Sequence, residues 1–114
     1  MTQLMQDLKY IGSFGVDSGQ AIVGDPCYLD KWENWDETEP FDNHKEKAGS
    51  YGYLGACGVT LGEQQAGTLG FADAVAFSTG YGDGVYPVYA KYNDDGRISM
   101  VIIDFNGELD MDEE

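Results

Sequence analysis

The sequence predicts an all-β or β-rich α+β fold, in the form of a small, strongly curled antiparallel sandwich or partly open barrel. The first reason is a hairpin, in which two β-prone runs, 85–92 and 97–105, flank the turn N-D-D-G at 93–96. The second is the glycine content, 16 of 114 residues, which few helices tolerate. The run 97–105 is apolar on both faces, so we expect it to lie inside a sheet and not at its edge.

Length and charge limit the classes of protein. A chain of 114 residues predicts one domain, 1–107, followed by an acidic tail, 108–114. Twenty-one acidic and six basic residues give a net charge of −15. This charge repels nucleic-acid phosphates and anionic membranes, so we expect no direct nucleic-acid binding and no membrane association. Basic protein surfaces and cations remain compatible with it.

No basic start is followed by an apolar run, and no stretch of roughly 18 apolar residues occurs, so we expect a cytoplasmic protein. Cys27 and Cys57 lie in no C-x-x-C motif. We therefore expect two buried, reduced thiols, with no disulfide, no metal site and no cofactor.

The first part of the chain contains two predicted strands, 9–14 and 20–23. The D-S-G turn at 17–19 would join them into a second hairpin. Pro26 lacks a backbone donor and biases Asp25 toward an extended conformation, so the second strand should end there.

The segment 30–47 differs from its surroundings, with seven acids, three bases and almost no aliphatic residues. Asp30 could cap a short helix over 31–36 with Glu33 in a capping box; the alternative is an irregular flap. In either form, Trp32 and Trp35 would anchor the segment over the sheet. Alternatively, they would form one wall of a ligand site.

Further strands are predicted at 51–61 and 68–78, separated by a loop at 62–67. The glycines inside these runs would mark bulges and sharp coiling of the sheet. Six strands in total are expected, with short turns between them.

The loop G-Y-G-D-G at 80–84 is the most unusual stretch of backbone. Its alternating glycines could turn N–H groups toward an anion, or carbonyls and Asp83 toward a cation, or form only a structural turn. The spacing does not fit a dinucleotide fingerprint. The N-D-D run at 93–95 could suggest calcium, but the hairpin turn accounts for it.

Catalytic chemistry has little support in the sequence. His44, the sole histidine, could serve Cys27 or a serine with Asp25 or Asp83 behind it, but no spacing supports this. We expect His44 to be a surface residue. Paired carboxylates among Asp17, Asp25 and Asp83 would need to lie roughly 5 to 10 Å apart, which the sequence does not determine. The sequence therefore favours a non-enzymatic protein over an enzyme.

Three stretches carry a resemblance: I-G-S-F-G-V-D-S-G-Q-A-I-V-G-D-P-C-Y-L at 11–29, Y-G-Y-L-G-A-C-G at 51–58 and S-T-G-Y-G-D-G-V-Y-P-V-Y at 78–89. They resemble small uncharacterised proteins found largely in bacteriophage genomes. They are also similar to a bacterial domain-of-unknown-function family with D-S-G and G-D-P-C-Y early and G-Y-G-D-G-x-Y-P-V-Y late. The resemblance implies a phage protein made in the bacterial cytoplasm, and it implies no activity.

The motif residues form the predicted ligand site. Successive hairpins of a small antiparallel sheet bring alternate loops to one rim, so these residues could converge on a concave polar patch with tyrosine walls. Trp32 and Trp35 would form a weaker aromatic wall. The candidate ligand-binding residues are Asp17, Ser18, Asp25, Tyr81, Asp83 and Tyr86.

Two functions follow as expectations. The first is a non-catalytic phage-type binding protein that sequesters a small, nucleotide-derived host-defence signal in this loop-lined pocket. The alternative is an acidic protein-interaction module, either an inhibitor of a host protein or a minor virion component. The sequence leaves the oligomeric state open, a homo-oligomer included.

Overall fold

The computed structural model describes residues 7–109, which form two compact units: 7–17 with 83–109, and 18–82. Each unit contains a three-stranded antiparallel sheet, and neither sheet closes into a barrel. The mostly β fold is therefore confirmed, whereas one domain over 1–107 stays a prediction. The strands are β1 (Leu8–Val16), β2 (Gln20–Gly24), β3 (Ala66–Leu69), β4 (Ala74–Ser78), β5 (Gly84–Tyr92) and β6 (Ile98–Ile103); the helices are two 3₁₀ helices (Pro26–Lys31 and Phe41–Asn43), α1 (His44–Lys47) and α2 (Tyr53–Thr60).

The predicted hairpin at 93–96 is confirmed, because β5 and β6 pair antiparallel around this turn. The side-chain oxygen of Asn93 accepts hydrogen bonds from the backbone N–H groups of Asp95, at 2.9 Å, and Arg97, at 3.1 Å. Gly96 has a φ of +80°. The turn chemistry thus explains the N-D-D-G run by local hydrogen bonds and one left-handed residue.

Replacing Gly96 by valine should lower the free energy of unfolding by roughly 1–3 kcal/mol, because a β-branched residue is strained at positive φ. Chemical denaturation measures this loss. Gly96→Asn is the matched control, since asparagine tolerates this conformation and should cost much less. Equal stability of the valine variant and the parent would contradict the turn geometry.

The position of β6 corrects an expectation. The sheet order is β1-β5-β6, so β6 lies at an edge and not inside the sheet. Ile98 and Val101 are each 52% exposed, and Met100 is 39% exposed. Two apolar faces predicted an interior strand, but β1 already occupies the other side of β5, and the apolar side chains of β6 are left partly uncovered.

The predicted second hairpin is wrong. β1 pairs with β5, ending at Val16 opposite Gly84, while β2 pairs with β4, starting at Gln20 opposite Ser78. The D-S-G turn at 17–19 therefore leads from one sheet into the other. A turn signal specifies a local change of direction, and it does not determine which strands exchange hydrogen bonds.

The strand predicted over 51–61 is also wrong, because this stretch contains helix α2. Leu54, Ala56 and Cys57 are buried along it. A Cβ atom on Gly55 would overlap the backbone carbonyl of Ser50. The glycine read as a strand bulge instead lets the helix approach the chain before it.

The strand predicted over 68–78 is two strands, β3 and β4, which form a hairpin next to β2 in the order β2-β4-β3. Helix α2 contributes to the core beside this sheet. In this unit a buried cluster is formed by Tyr51, Ala56, Leu69, Ala74 and Ala76, with Trp32 and Val59 packed against it.

The segment near 31–37 takes the flap form and not the capped helix. The 3₁₀ helix lies earlier, over Pro26–Lys31, and Asp25 caps it by accepting the N–H of Cys27 at 2.9 Å. Residues 34–36 have no regular structure. The backbone of Glu33 instead bonds to Tyr51 and Tyr53, which fixes the flap to the start of α2.

Both cysteines are free, but the expectation that both are buried is wrong, because Cys27 is exposed and only Cys57 is buried. Cys27 lies on the 3₁₀ helix, which has no buried residue. Within residues 7–109, no helix is long and apolar enough to span a bilayer.

The start of the predicted acidic tail is tied to the sheet by Asp104, which is buried. Its carboxylate accepts the N–H groups of Asn106, Glu108 and Leu109 at 3.1, 3.1 and 2.8 Å. Residues 108 and 109 are therefore held in place. The rest of the predicted tail, 110–114, lies outside the described residues.

Candidate functional site

Two cavities lie along β2 in the unit 18–82. The first, here called the Trp32 cavity, has a volume of about 180 Å³ and is lined by Ser18, residues 20–22, Trp32, Tyr53 and Ala56. The second, the Asp25 cavity, has a volume of about 190 Å³ and is lined by Ile22, Gly24, Asp25, Pro26, Leu29 and Tyr51.

The two cavities are adjacent, because Ile22 lines both. Beside it, the ring of Trp32 meets the ring of Tyr51 edge to face, with centroids 5.2 Å apart. Trp32 faces the first cavity and Tyr51 the second. The cavities are thus neighbours with an apolar and aromatic partition between them, and each is smaller than the roughly 300 Å³ at which drug-sized pockets begin. Each fits about one ring system.

The polar groups behind the Trp32 cavity are already hydrogen-bonded to one another. The Gln20 amide donates to Cys57 Sγ at 3.3 Å and accepts from the Thr60 hydroxyl at 2.7 Å. Burial raises the pKa of Tyr53, and the neighbouring Cys57 raises it further. The Tyr53 phenol therefore stays protonated at neutral pH. The two hydrogen bonds of Gln20 hold its amide in a fixed orientation.

The flap supplies the aromatic wall. Trp35 stacks on Tyr53 with centroids 5.9 Å apart and an interplanar angle of 10°, and its indole N–H donates to the Glu39 carbonyl at 2.9 Å. Phe41 meets the outer side of Trp35 at 5.6 Å. Trp35 therefore supports Tyr53 as an anchor, whereas Trp32 lines a cavity itself.

The structure brings together part of the predicted site. Ser18 and Trp32 line the same cavity, and Asp25 lines the adjacent one. Asp25 lies beyond the Gly24 end of β2, whereas Ser18 lies before its Gln20 end. Five residue steps from Gln20 to Asp25 amount to about 17 Å in a strand. These two residues therefore do not share one rim.

Tyr81 lies at the Ser18 end of β2 but lines neither cavity. Thr79, which is buried, bonds back to Gly19 through its N–H at 3.0 Å, and its hydroxyl donates to the Gly82 carbonyl at 2.7 Å. Tyr81 itself is 63% exposed. These bonds favour the structural-turn interpretation for residues 79–82.

Asp17, Asp83 and Tyr86 belong to the other unit. Asp17 and Asp83 directly follow and precede the last paired residues of β1 and β5, Val16 and Gly84. They therefore lie at the same end of that sheet. Tyr86 is only 8% exposed and meets Phe105 edge to face at 5.0 Å, so its ring packs inside the unit and does not form an open wall.

Sequence reasoning missed Ile22, Gln20 and Tyr53. The sequence around a strand residue such as Ile22 does not show which side chains will pack beside it in the fold. The contact between Trp35 and Tyr53 depends on the helix at 53–60. This helix was not predicted, because glycines within the segment lower helix propensity. The available signal was the aromatic density of the segments 32–41 and 51–53.

Metal-ligating side chains do not cluster in residues 7–109. In that range, no three histidine, cysteine or acidic side chains lie close enough to hold a metal ion. His44 Nδ1 lies 2.8 Å from the Phe41 carbonyl, and its ring packs on Phe41 at 4.7 Å. His44 therefore has a local structural contact at the start of α1.

Comparison with known proteins gives one relationship. No curated protein and no solved structure matches the chain significantly. A model of a protein family of unknown function, DUF4241, matches residues 2–103. Since this match covers most of the sequence, the chain belongs to the DUF4241 family of proteins of unknown function.

Proposed function

We propose that this protein binds a small molecule without transforming it, in the two cavities beside Ile22. The observation that carries the proposal is the composition of the Trp32 cavity, where two aromatic rings meet the hydroxyl of Ser18 and the amide of Gln20. Small-molecule sites combine mainly apolar walls with a few placed polar groups. The size of each cavity suits a single or fused ring.

The non-catalytic part is supported by the cavity linings. Acyl and group transfer require a nucleophile within hydrogen-bond reach of a base. Among the lining residues, Ser18 carries the aliphatic hydroxyl and Asp25 the carboxylate, and these two lie in different cavities at opposite ends of β2. Cys57 is buried and bonded to Gln20. This arrangement suits retention of a ligand.

In its narrowest form, the proposal is a bacteriophage protein, made in the bacterial cytoplasm, that sequesters a nucleotide-derived host-defence signal. Its supports are the motif resemblance to phage proteins and the aromatic lining, because bases stack favourably on tryptophan and tyrosine. A nucleobase would lie against Trp32 and Tyr53. Neither cavity is lined by a lysine, arginine or histidine among the described residues, so any phosphate would remain in solvent.

Fluorescence of two single-tryptophan variants tests this proposal. In Trp35→Phe, the remaining Trp32 lines the cavity, and saturable quenching by adenosine is expected, because a stacked base changes the emission of the indole. In Trp32→Phe, the remaining Trp35 lies behind Tyr53 and should report little change. Equal quenching in both variants, or none in Trp35→Phe, would contradict binding at the Trp32 cavity.

The second candidate is the interaction module, which the edge strand β6 favours. Residues 98–103 contain no charged side chain, and Ile98, Met100 and Val101 are exposed in a protein of net charge −15. An exposed edge can accept another strand through its backbone. The partner would be a strand with basic flanks, attracted by the overall charge.

A further inference from the structure

The two cavities are lined by charge of one sign, which is negative. Among the described residues that line them, Asp25 is the one acidic or basic side chain; the others are aliphatic, aromatic or neutral polar. The surrounding protein carries a net charge of −15. Both the local and the overall field therefore attract cations and repel anions.

The Asp25 carboxylate is held in place by the fold. One oxygen accepts the N–H of Cys27 at 2.9 Å, which caps the 3₁₀ helix. Its other oxygen has no hydrogen-bond donor in the part of the chain that the structure describes. Pro26 follows directly and restricts the backbone at Asp25. A fixed carboxylate oxygen therefore stands beside the cavity that Tyr51 and Ile22 line.

The aromatic residues beside Ile22 supply the apolar part of the site. Tyr51 lines the Asp25 cavity, and Trp32 lies against it at 5.2 Å between ring centroids. These rings and Ile22 form an apolar surface on which a ligand ring can pack. A ligand with a positive group and an apolar ring would meet complementary surfaces at both of its ends.

We infer that the ligand is an organic amine, a small ring compound whose ammonium group lies at Asp25 and whose ring packs on Ile22 and Tyr51. This inference rests on the proposed function, binding in the two cavities, and replaces the nucleotide-derived ligand of its narrowest form by an amine. A phosphorylated nucleotide would be held by its base alone, and each phosphate would weaken its binding. Adenosine should therefore bind more tightly than adenosine monophosphate.

Three indoles that differ only in side-chain charge test the inference: tryptamine, tryptophol and indole-3-acetate. Calorimetric titration at low salt should give the tightest binding for tryptamine, about fivefold tighter than for tryptophol, with indole-3-acetate weakest. Asp25→Asn should remove the advantage of tryptamine and leave tryptophol unchanged, since asparagine keeps the helix cap.

Asp30→Asn is the matched control, because Asp30 lies on the same 3₁₀ helix and lines neither cavity. It should leave the tryptamine preference in place. Equal affinity for all three indoles, or equal losses in the two variants, would overturn the amine inference while the proposed binding function stands. If none of the indoles binds, the amine inference fails as well, and the adenosine titration of Trp35→Phe alone decides the proposed function.

Discussion

Replacing Gly55 by alanine is expected to destabilise the protein by roughly 3 kcal/mol or more, although alanine normally stabilises a helix by about 1 kcal/mol relative to glycine. The added methyl group would overlap the Ser50 carbonyl oxygen and crowd its side chain. Both groups belong to the tight turn before α2, where Gly52 N–H donates to Ser50 O at 3.0 Å. The turn would have to move.

Gly62→Ala is the control for this prediction. It follows α2, and a Cβ there would meet the nearest atom at 3.4 Å, an ordinary contact. Its stability should stay close to that of the parent. Thermal unfolding of both variants gives the comparison, and a stabilised Gly55→Ala protein would show that α2 does not pack against Ser50.

Replacing Asp104 by asparagine should cost roughly 2–3 kcal/mol, because the amide replaces one acceptor oxygen with a donor that faces backbone N–H groups. Burial by itself would raise the pKa of the Asp104 carboxyl. The hydrogen bonds from the backbone N–H groups of Leu109, Glu108, Asn106 and Gly107 outweigh this effect, so its pKa lies below the ordinary value.

The lowered pKa gives the loss a characteristic pH dependence. The carboxylate stabilises the fold fully above its unfolded pKa, about 3.9, and this stabilisation disappears as pH falls through the lower folded value. The stability difference between parent and Asp104→Asn should thus be constant from pH 7 to about 5 and shrink below about 4. Asp94→Asn, an exposed turn residue, should show no such difference. Parallel curves for Asp104→Asn and the parent down to pH 2 would refute the role of Asp104.

Local chemistry predicted the hairpin at 93–96, because Asn93 and Gly96 satisfy the turn by themselves. The partner of each strand was not predictable in this way. β6 was expected inside a sheet, and β1 was expected to pair with β2, since apolar content does not encode which neighbour arrives from distant sequence.

The helix at 53–60 shows a second limit of sequence reasoning. Glycine lowers helix propensity, so Gly55 argued for a strand. In the fold, the lack of a side chain there is required by close packing, and this tertiary gain outweighs the local cost. Glycines at this spacing are compatible with a coiled strand and with a closely packed helix. The contact between Gly55 and Ser50 distinguishes the two, and it exists only in the folded protein.

Part of the candidate site was visible in the sequence. Ser18, Asp25 and Trp32 were singled out by turn chemistry, motif and aromatic character, and they line the two cavities. Their grouping was not visible, since it depends on the length of β2 and on the bridge from the flap to α2. Tyr86 was chosen for its motif and is packed against Phe105 instead.

Native mass spectrometry of the protein after incubation with a bacterial cell extract tests the central claim most directly. The account predicts that a small molecule is retained by the parent and lost in Ser18→Trp, where the indole would obstruct the Trp32 cavity. Glu63→Trp, at an exposed loop position outside both cavities, should retain it. If the parent retains a protein and no small molecule, or if Ser18→Trp retains the same small mass as the parent, the cavities beside Ile22 are not the binding site.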